Sequence, residues 1–297
     1  MPIQNNWKSL KSKLHHASEN TAKKRKFSEP NNVDTKRNKS DINNAVALNA
    51  STNTSKLQSE NVIDSIVRNC KVSDTAKSKY IGLDCEMVGL GDEGKQSALA
   101  RCCLVDFDGL KIYDEFVRPQ GYVTDFRTKW SGIRRKDLRQ DKAISFYECQ
   151  QQVAKLINGK ILLGHALKND LSVLMLKHSK SMMRDTAYYK PFMRPHEKKK
   201  GKFKSRSLKD LVKEYLKIDI QGGEHDPCED ARSAVMLYRY KMKEWEATLN
   251  EKQIEIKKKK WANKTSKDEN KRKTDEKKSG IFANDDSKNS IIKFQDI

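Results

Sequence analysis

The sequence predicts an α/β fold with a mixed central sheet, confined to residues 79–245 and flanked by basic, largely disordered tails at 1–78 and 246–297. Two observations carry this reading. Apolar residues make up 36% of the 297-residue chain and charged residues 34%, whereas globular domains run at roughly 45–50% and 25%, so one domain cannot span the whole length. The apolar and aromatic residues also gather in the middle, with strand-like and helix-like periods, while the flanks are rich in Asn, Ser, Lys and Thr. Such flanks bury too little apolar surface to offset chain entropy.

The elements follow in order. Residues 80–88 alternate side chains as a strand, and 98–107 and 110–117 form two more, joined by the hairpin pair Asp108-Gly109. Pro119 and Gly121 open a loop to about residue 132. Apolar positions 144, 146, 153, 154, 156 and 157 make one helical face, closed by Asn158-Gly159. The apolar run 160–164 reads as a buried parallel strand. Asp170 starts a helix over Leu171–Lys177, and 182–185 returns as a strand. An irregular basic loop, 190–206, precedes a helix opened by Ser207. Gly222-Gly223 breaks the chain, and Asp226-Pro227 starts the last helix, with Pro at a first-turn position. Helical character persists over 239–260, so this helix is expected to run past residue 245. Strands by hairpins followed by alternating helices and strands give a layered α/β architecture.

The net charge of +21 divides into +8 for residues 1–79, +9 for 80–245 and +4 for 246–297. Basic clusters at Lys23–Lys26, Lys257–Lys260 and Lys271–Lys273 suit phosphate contacts or import-receptor binding, against the plainer reading of solvated tails. A nucleic-acid partner and a nuclear location are expected from them. No apolar run reaches the ~18 residues of a membrane span, and the first twenty residues lack an apolar signal core, so neither membrane nor secretory pathway is expected. The six cysteines form no CxxC pair, so neither a zinc knuckle nor a disulfide framework is indicated, and a reducing compartment is expected.

Four acids stand out by position. Asp84 and Glu86 lie two apart on the first strand and so share one face. Asp170 follows the short segment 164–169, and Asp230 sits one turn into the last helix. Buried carboxylates repel and raise one another's pKa unless a cation lies between them. Oxygen ligands of this kind suit Mg²⁺ or Mn²⁺.

The segments LDCEMVGLG, ARCCLVDFDG, RPQGYVTDFRTKWSGI, ILLGHALKNDL, RDTAYYKPF and HDPCEDARSAVMLY, in this order, resemble the DEDDh 3′→5′ exonucleases, and within them the RNA exonuclease 4 family. The resemblance covers about residues 79–245. It implies a ribonuclease H-like three-layer fold and two divalent metal ions, Mg²⁺ or Mn²⁺. Asp84, Glu86 and Asp230 would hold one metal, and Asp84 with Asp170 the other. His225, five residues before Asp230, matches the general base of the His-type subgroup. The Tyr-type subgroup would place its tyrosine at position 226, which is Asp here.

Met87 would lie beside the terminal nucleotide and Arg127 near its ribose, where a 2′-OH contact favours RNA. A core methionine and a surface arginine are the plain alternatives. His165 is counted with the substrate-binding residues but read chiefly as positioning the Asp170 turn by hydrogen bonding. Lys129, Arg134 and Arg135 could meet phosphates, and Phe203 in the basic loop could stack on a base.

The implied activity is hydrolysis of single-stranded RNA to nucleoside 5′-monophosphates by a monomeric nuclear, nucleolar enzyme acting on pre-ribosomal RNA. A non-catalytic RNA-binding role in ribosome assembly and a DNA-directed exonuclease stay open as alternatives.

Overall fold

The computed structural model describes residues 70–282, with Val62, Ser65 and Ile66 before them. The expected N-terminal tail therefore lies mostly outside the described residues, as do Lys23–Lys26 and positions 283–297. Its last part is ordered, contrary to the boundary drawn at residue 79. A short helix, α1 (Asp74–Lys77), is capped by the Ser73 hydroxyl, and the Lys77 ammonium donates to Asp108 at 2.9 Å.

Strand β1 (Tyr80–Leu90) pairs antiparallel with β2 (Gln96–Val105), which pairs antiparallel with β3 (Lys111–Arg118). The turn between β2 and β3 is built by Asp106, whose Oδ1 accepts from the Asp108 and Leu110 amides. Gly109 sits there at φ 79°, in the left-handed region that glycine adopts at no steric cost. The expected loop after Pro119 holds two short elements, β4 (Val123–Asp125), paired with the end of β1, and α2 (Thr128–Ser131).

β5 (Ile144–Ser145) pairs parallel with β3, and the Ser145 side chain accepts from the Glu148 amide to cap α3 (Phe146–Ile157). β6 (Ile161–Gly164) joins β1 in parallel and is followed by α4 (Lys168–Val173). β7 (Met183–Asp185) then pairs parallel with β6. The main sheet runs β5-β3-β2-β1-β6-β7, with β4 attached to β1. The basic loop contains a two-stranded hairpin, β8 (Arg194–Pro195) and β9 (Phe203–Lys204). Ser207 caps α5 (Leu208–Leu211), which continues as a π-helical turn to Leu216.

α6 runs from Pro227 to Phe282. Its first part, to Lys241, belongs to the unit that holds the sheet, and Met242 begins a second unit. Residues 246–282, expected to be largely disordered, are helical in that second unit. The physical reason is that a helix needs no buried core where its residues favour it. This stretch is rich in Lys and Glu, contains no proline, and carries a Glu255–Lys259 ion pair at i,i+4.

Side-chain alternation on β1 divides the first unit into layers. Ile81, Leu83 and Cys85 face α3 and α4, packing with Phe146, Cys149, Val153, Ile157 and Leu171. The other face meets α6: a Cβ added to Gly82 would lie 2.7 Å from both Val105 and Val235, and Tyr80 packs on Tyr238. This is the expected three-layer α/β/α arrangement with a mixed sheet. Cys103 on β2 and Cys228 at the start of α6 are joined as a disulfide. The sequence reading indicated no disulfide, because the two cysteines are 125 residues apart and form no local motif.

Candidate active site

β1 presents Asp84 and Glu86 toward α6, since both lie on the same side as Gly82. Glu86 is 7% exposed, and Asp170 and Asp230 are 4% exposed each, while Asp84 is half-buried. The β1–β2 register shifts between Glu86 and Met87, directly after the acid pair. Asp170, in the first turn of α4, accepts the Cys85 backbone N–H at 3.0 Å and so is fixed to the strand beside Asp84. Asp230, one turn into α6, accepts from the Gln221 side-chain amide at 2.7 Å through Oδ2. Its Oδ1 is buried with no hydrogen-bond partner among the described residues. Ligand atoms of Glu86, His225 and Asp230 lie within 4.8 Å of one another, and His225 Nδ1 is 3.6 Å from Asp230 Oδ2.

The electrostatics show what such a cluster costs without a cation. Burial, with the charge of Asp230, pushes the Glu86 carboxyl up to about 9. Burial raises Asp170 and Asp230 to about 7 each. Asp84 is raised well above its ordinary value by burial and by the charges of Asp170, Asp230 and Glu86. The Arg101 guanidinium, opposite Glu86 in the sheet register, offsets part of this. Arg101 is otherwise committed to a bidentate pair with Asp114 and an ion pair with Asp226, and it lies over the Phe116 ring. Buried carboxylates with one orphaned oxygen form a donor set that suits a hard divalent cation.

His225 is held from several sides. Its backbone N–H donates to the Trp130 carbonyl at 2.7 Å. On one side Glu224 forms a bidentate pair with Arg134, and on the other Asp226 pairs with Arg101 at 3.3 Å. Burial, then the nearby Lys209 charge, lowers the pKa of His225, so the neutral imidazole is favoured.

The structure brings together Asp84, Glu86, Asp170, His225 and Asp230, and places the other expected residues differently. Met87 lines a cavity of about 1170 Å³ with Leu90, Ser97, Tyr122, Asn169 and Met175. None of the five clustered residues lines this cavity, but Met87 and Asn169 are the chain neighbours of Glu86 and Asp170. The Arg127 guanidinium donates to the Gly94 carbonyl and the Ser97 hydroxyl, tying its loop to the β1–β2 connection. Arg134 is occupied by Glu224 and by the Gly132 carbonyl, and the Lys129 ammonium lies over the Trp130 ring. His165 hydrogen-bonds Thr186 at 2.9 Å, and among the described residues its side chain makes no hydrogen bond to Asp170. The Asp170 turn is instead organised by Asp185, whose carboxylate accepts the Ala166, Leu167 and Ala187 amides at 2.8–3.0 Å. Ala166 is held there at φ 59°. Sequence reasoning missed this role for Asp185; an acid placed right at the end of a short strand, before Thr186, was the available signal.

Comparisons with known proteins agree with this geometry. The exonuclease family model RNase_T matches residues 81–238. An RNA exonuclease 4 of Debaryomyces hansenii is 39% identical over 267 residues, covering 83% of this chain and 94% of that protein. One of Saccharomyces cerevisiae is 48% identical over 168 residues, covering 57% of this chain and 56% of that protein. Among solved structures, the Neurospora crassa Pan2 catalytic unit (protease and nuclease domain) superposes with a TM-score of 0.50 at 27% identity, over 61% of this chain and 29% of that one. A Saccharomyces cerevisiae Pan2 pseudoubiquitin hydrolase–RNA exonuclease module in complex with AAGGAA RNA gives 0.50 at 26% identity, over 62% and 33%. The domain match, which takes in all five clustered residues, and a relative matched along nearly its whole length lead to one assignment: the chain belongs to the RNA exonuclease 4 family of DEDDh 3′→5′ exonucleases.

Proposed function

We propose that this protein removes nucleotides one at a time from the 3′ end of single-stranded RNA, releasing nucleoside 5′-monophosphates, with His225 as general base and two Mg²⁺ or Mn²⁺ ions as cofactors. The observation that carries the reading is the buried acid cluster with the unpartnered Asp230 Oδ1, set beside an imidazole kept neutral. Asp84, Glu86 and Asp230 would hold one ion, and Asp84 with Asp170 the second. Bound there, the ions supply charge stabilisation for both the entering and the leaving oxygen of an in-line displacement at phosphorus.

The residues do the rest. Neutral His225, a third exposed, accepts the proton of the attacking water. Its backbone bond to Trp130 and the flanking Glu224 and Asp226 ion pairs keep the ring in place during that transfer. Met87 and the cavity beside it receive the terminal nucleotide. The relatives named RNA exonuclease 4 support RNA as substrate; the basic segments favour a nuclear location, and pre-ribosomal RNA is the substrate proposed there.

The test uses 5′-labelled single-stranded RNA and DNA of one sequence with Mg²⁺ or Mn²⁺. RNA should shorten from its 3′ end, and EDTA or Asp84→Asn should abolish the ladder. Full activity of Asp84→Asn would sink the metal assignment, and faster digestion of DNA would replace the RNA reading. His225→Ala should lower turnover while leaving RNA binding nearly unchanged; equal loss of binding would remove the base role.

A further inference from the structure

The hairpin β8–β9 is absorbed by neither the catalytic cluster nor the core. Its strands pair Arg194 with Lys204 and Pro195 with Phe203. Its tip is turned by backbone bonds from His196 to the Lys202 carbonyl and from Lys202 to the Lys199 carbonyl. Lys198, Lys199, Lys200, Lys202 and Lys204 are all exposed. None of them makes an ion pair among the described residues, and Glu197 is the one acid between Arg194 and Arg206. Phe203 is 41% exposed, and Lys190 stands over its ring at 4.9 Å.

The base of the hairpin borders the active site. On leaving β9 the chain reaches Arg206, whose backbone hydrogen-bonds His165, just after β6. Three residues later the Lys209 ammonium donates to the Gln221 carbonyl at 2.9 Å, and Gln221 holds Asp230. An ordered arm of unpaired cations is thus rooted at the rim of a site that acts on phosphodiesters.

We propose that the β8–β9 hairpin is a phosphate-gripping arm for the RNA lying 5′ of the terminal nucleotide. The proposal rests on the exoribonuclease reading above and adds length dependence to it. Lysines meet phosphates as point charges and carry no base readout, so the arm sets affinity for long strands without sequence preference. A trinucleotide carries only two internucleotide phosphates, so the proposal expects its turnover not to depend on the arm.

The test compares the full-length protein with the variant Lys198→Ala/Lys199→Ala/Lys200→Ala/Lys202→Ala and with the same four positions changed to Arg. Fluorescence anisotropy with a 5′-labelled 20-nucleotide RNA in EDTA, between 50 and 300 mM KCl, gives affinity and its salt slope. For single strands each phosphate contact contributes about 0.7 to the slope of log K against log salt. The alanine variant should therefore lose about 2–3 from that slope, and its affinity near 100 mM KCl should fall by more than tenfold. The arginine variant should match wild type, and Mn²⁺-dependent turnover of a trinucleotide should be the same in all three proteins.

An unchanged slope in the alanine variant overturns the proposal, as does an equal loss on the trinucleotide. Failure of the wild type to digest RNA would sink the exoribonuclease reading instead. The slope measurement, made without metal, would still report on the arm.

Discussion

Gly82→Ala should reach the active site without touching an acid. Gly82 lies where β1 passes under α6, and a methyl group there would sit 2.7 Å from Val105 Cγ2 and from Val235 Cγ2. Apolar carbons rest at about 3.5–4.0 Å, so the packing must open by about 1 Å. Val105 and Val235 are both 0% exposed, so neither can relieve the contact by turning out into solvent. Overpacking of this kind costs about 1–3 kcal/mol, which for a domain of this size lowers Tm by about 4–8 °C at the middle of that range.

The functional effect should be larger than the loss of stability. Val235 is on the same helix as Asp230, so a shift of α6 moves Asp230 away from Glu86. Catalytic groups need placement within about 0.5 Å, and a 1 Å error can cost about 10²-fold. The assay is thermal unfolding by circular dichroism together with kcat/KM on labelled RNA in Mn²⁺. Gly223→Ala is the control, because a Cβ there meets nothing within 4 Å. Adding Val235→Ala to Gly82→Ala should restore part of both losses. A Gly82→Ala protein with Tm within about 1 °C of wild type and unchanged kcat/KM would refute the reasoning, as would a second substitution that restores nothing.

Three further outcomes are expected. Asp185→Ala strips three backbone amides of their acceptor; at about 1–3 kcal/mol for a buried unsatisfied group, it should lower Tm and reduce kcat by disturbing the Asp170 turn, both measurable in the assays above. Arg134→Ala removes the partner of Glu224 beside His225; kcat should fall several-fold with Tm nearly constant, since exposed ion pairs contribute little, and steady-state kinetics beside a melting curve separates the two. Burial lowers the His165 pKa to about 4 from an unfolded value near 6.5, so the unfolded chain binds the extra proton between those values. Stability from this group is complete above pH 6.5 and is lost as pH falls through about 4, by about 3 kcal/mol in all. Urea titrations from pH 7 to 4 should show a shallower pH dependence in His165→Gln.

The parts of this protein that could be read from its sequence are those governed by local rules. Strand alternation alone puts Asp84 and Glu86 on one face, and the placement of Asp170 and Asp230 near helix starts follows from the glycine and proline around them. What escaped depends on contacts between distant residues. β4 is three residues long and exists because the end of β1 offers it a partner. Arg127 looked available for a ribose and Arg134 for phosphates because nothing local shows that Gly94, Ser97 and Glu224 occupy them. The Cys103–Cys228 bond joins a strand interior to a helix start with no motif at either end. The helical stretch beyond residue 245 was underestimated because low apolar content argues against a core, not against a helix.

The four carboxylates come from three elements spread along the chain: Asp84 and Glu86 from β1, Asp170 from α4 and Asp230 from α6. On a growing polypeptide they emerge in that order, and the site cannot close until the last helix of the first unit has docked. A cation that binds this set therefore adds its free energy, about 2.7 kcal/mol at a hundred times Kd, only to a finished domain. Partly folded chains that lack α6 receive none of it. The catalytic centre in this way also favours completed domains over incomplete ones, and loading with cation should make unfolding more nearly all-or-none.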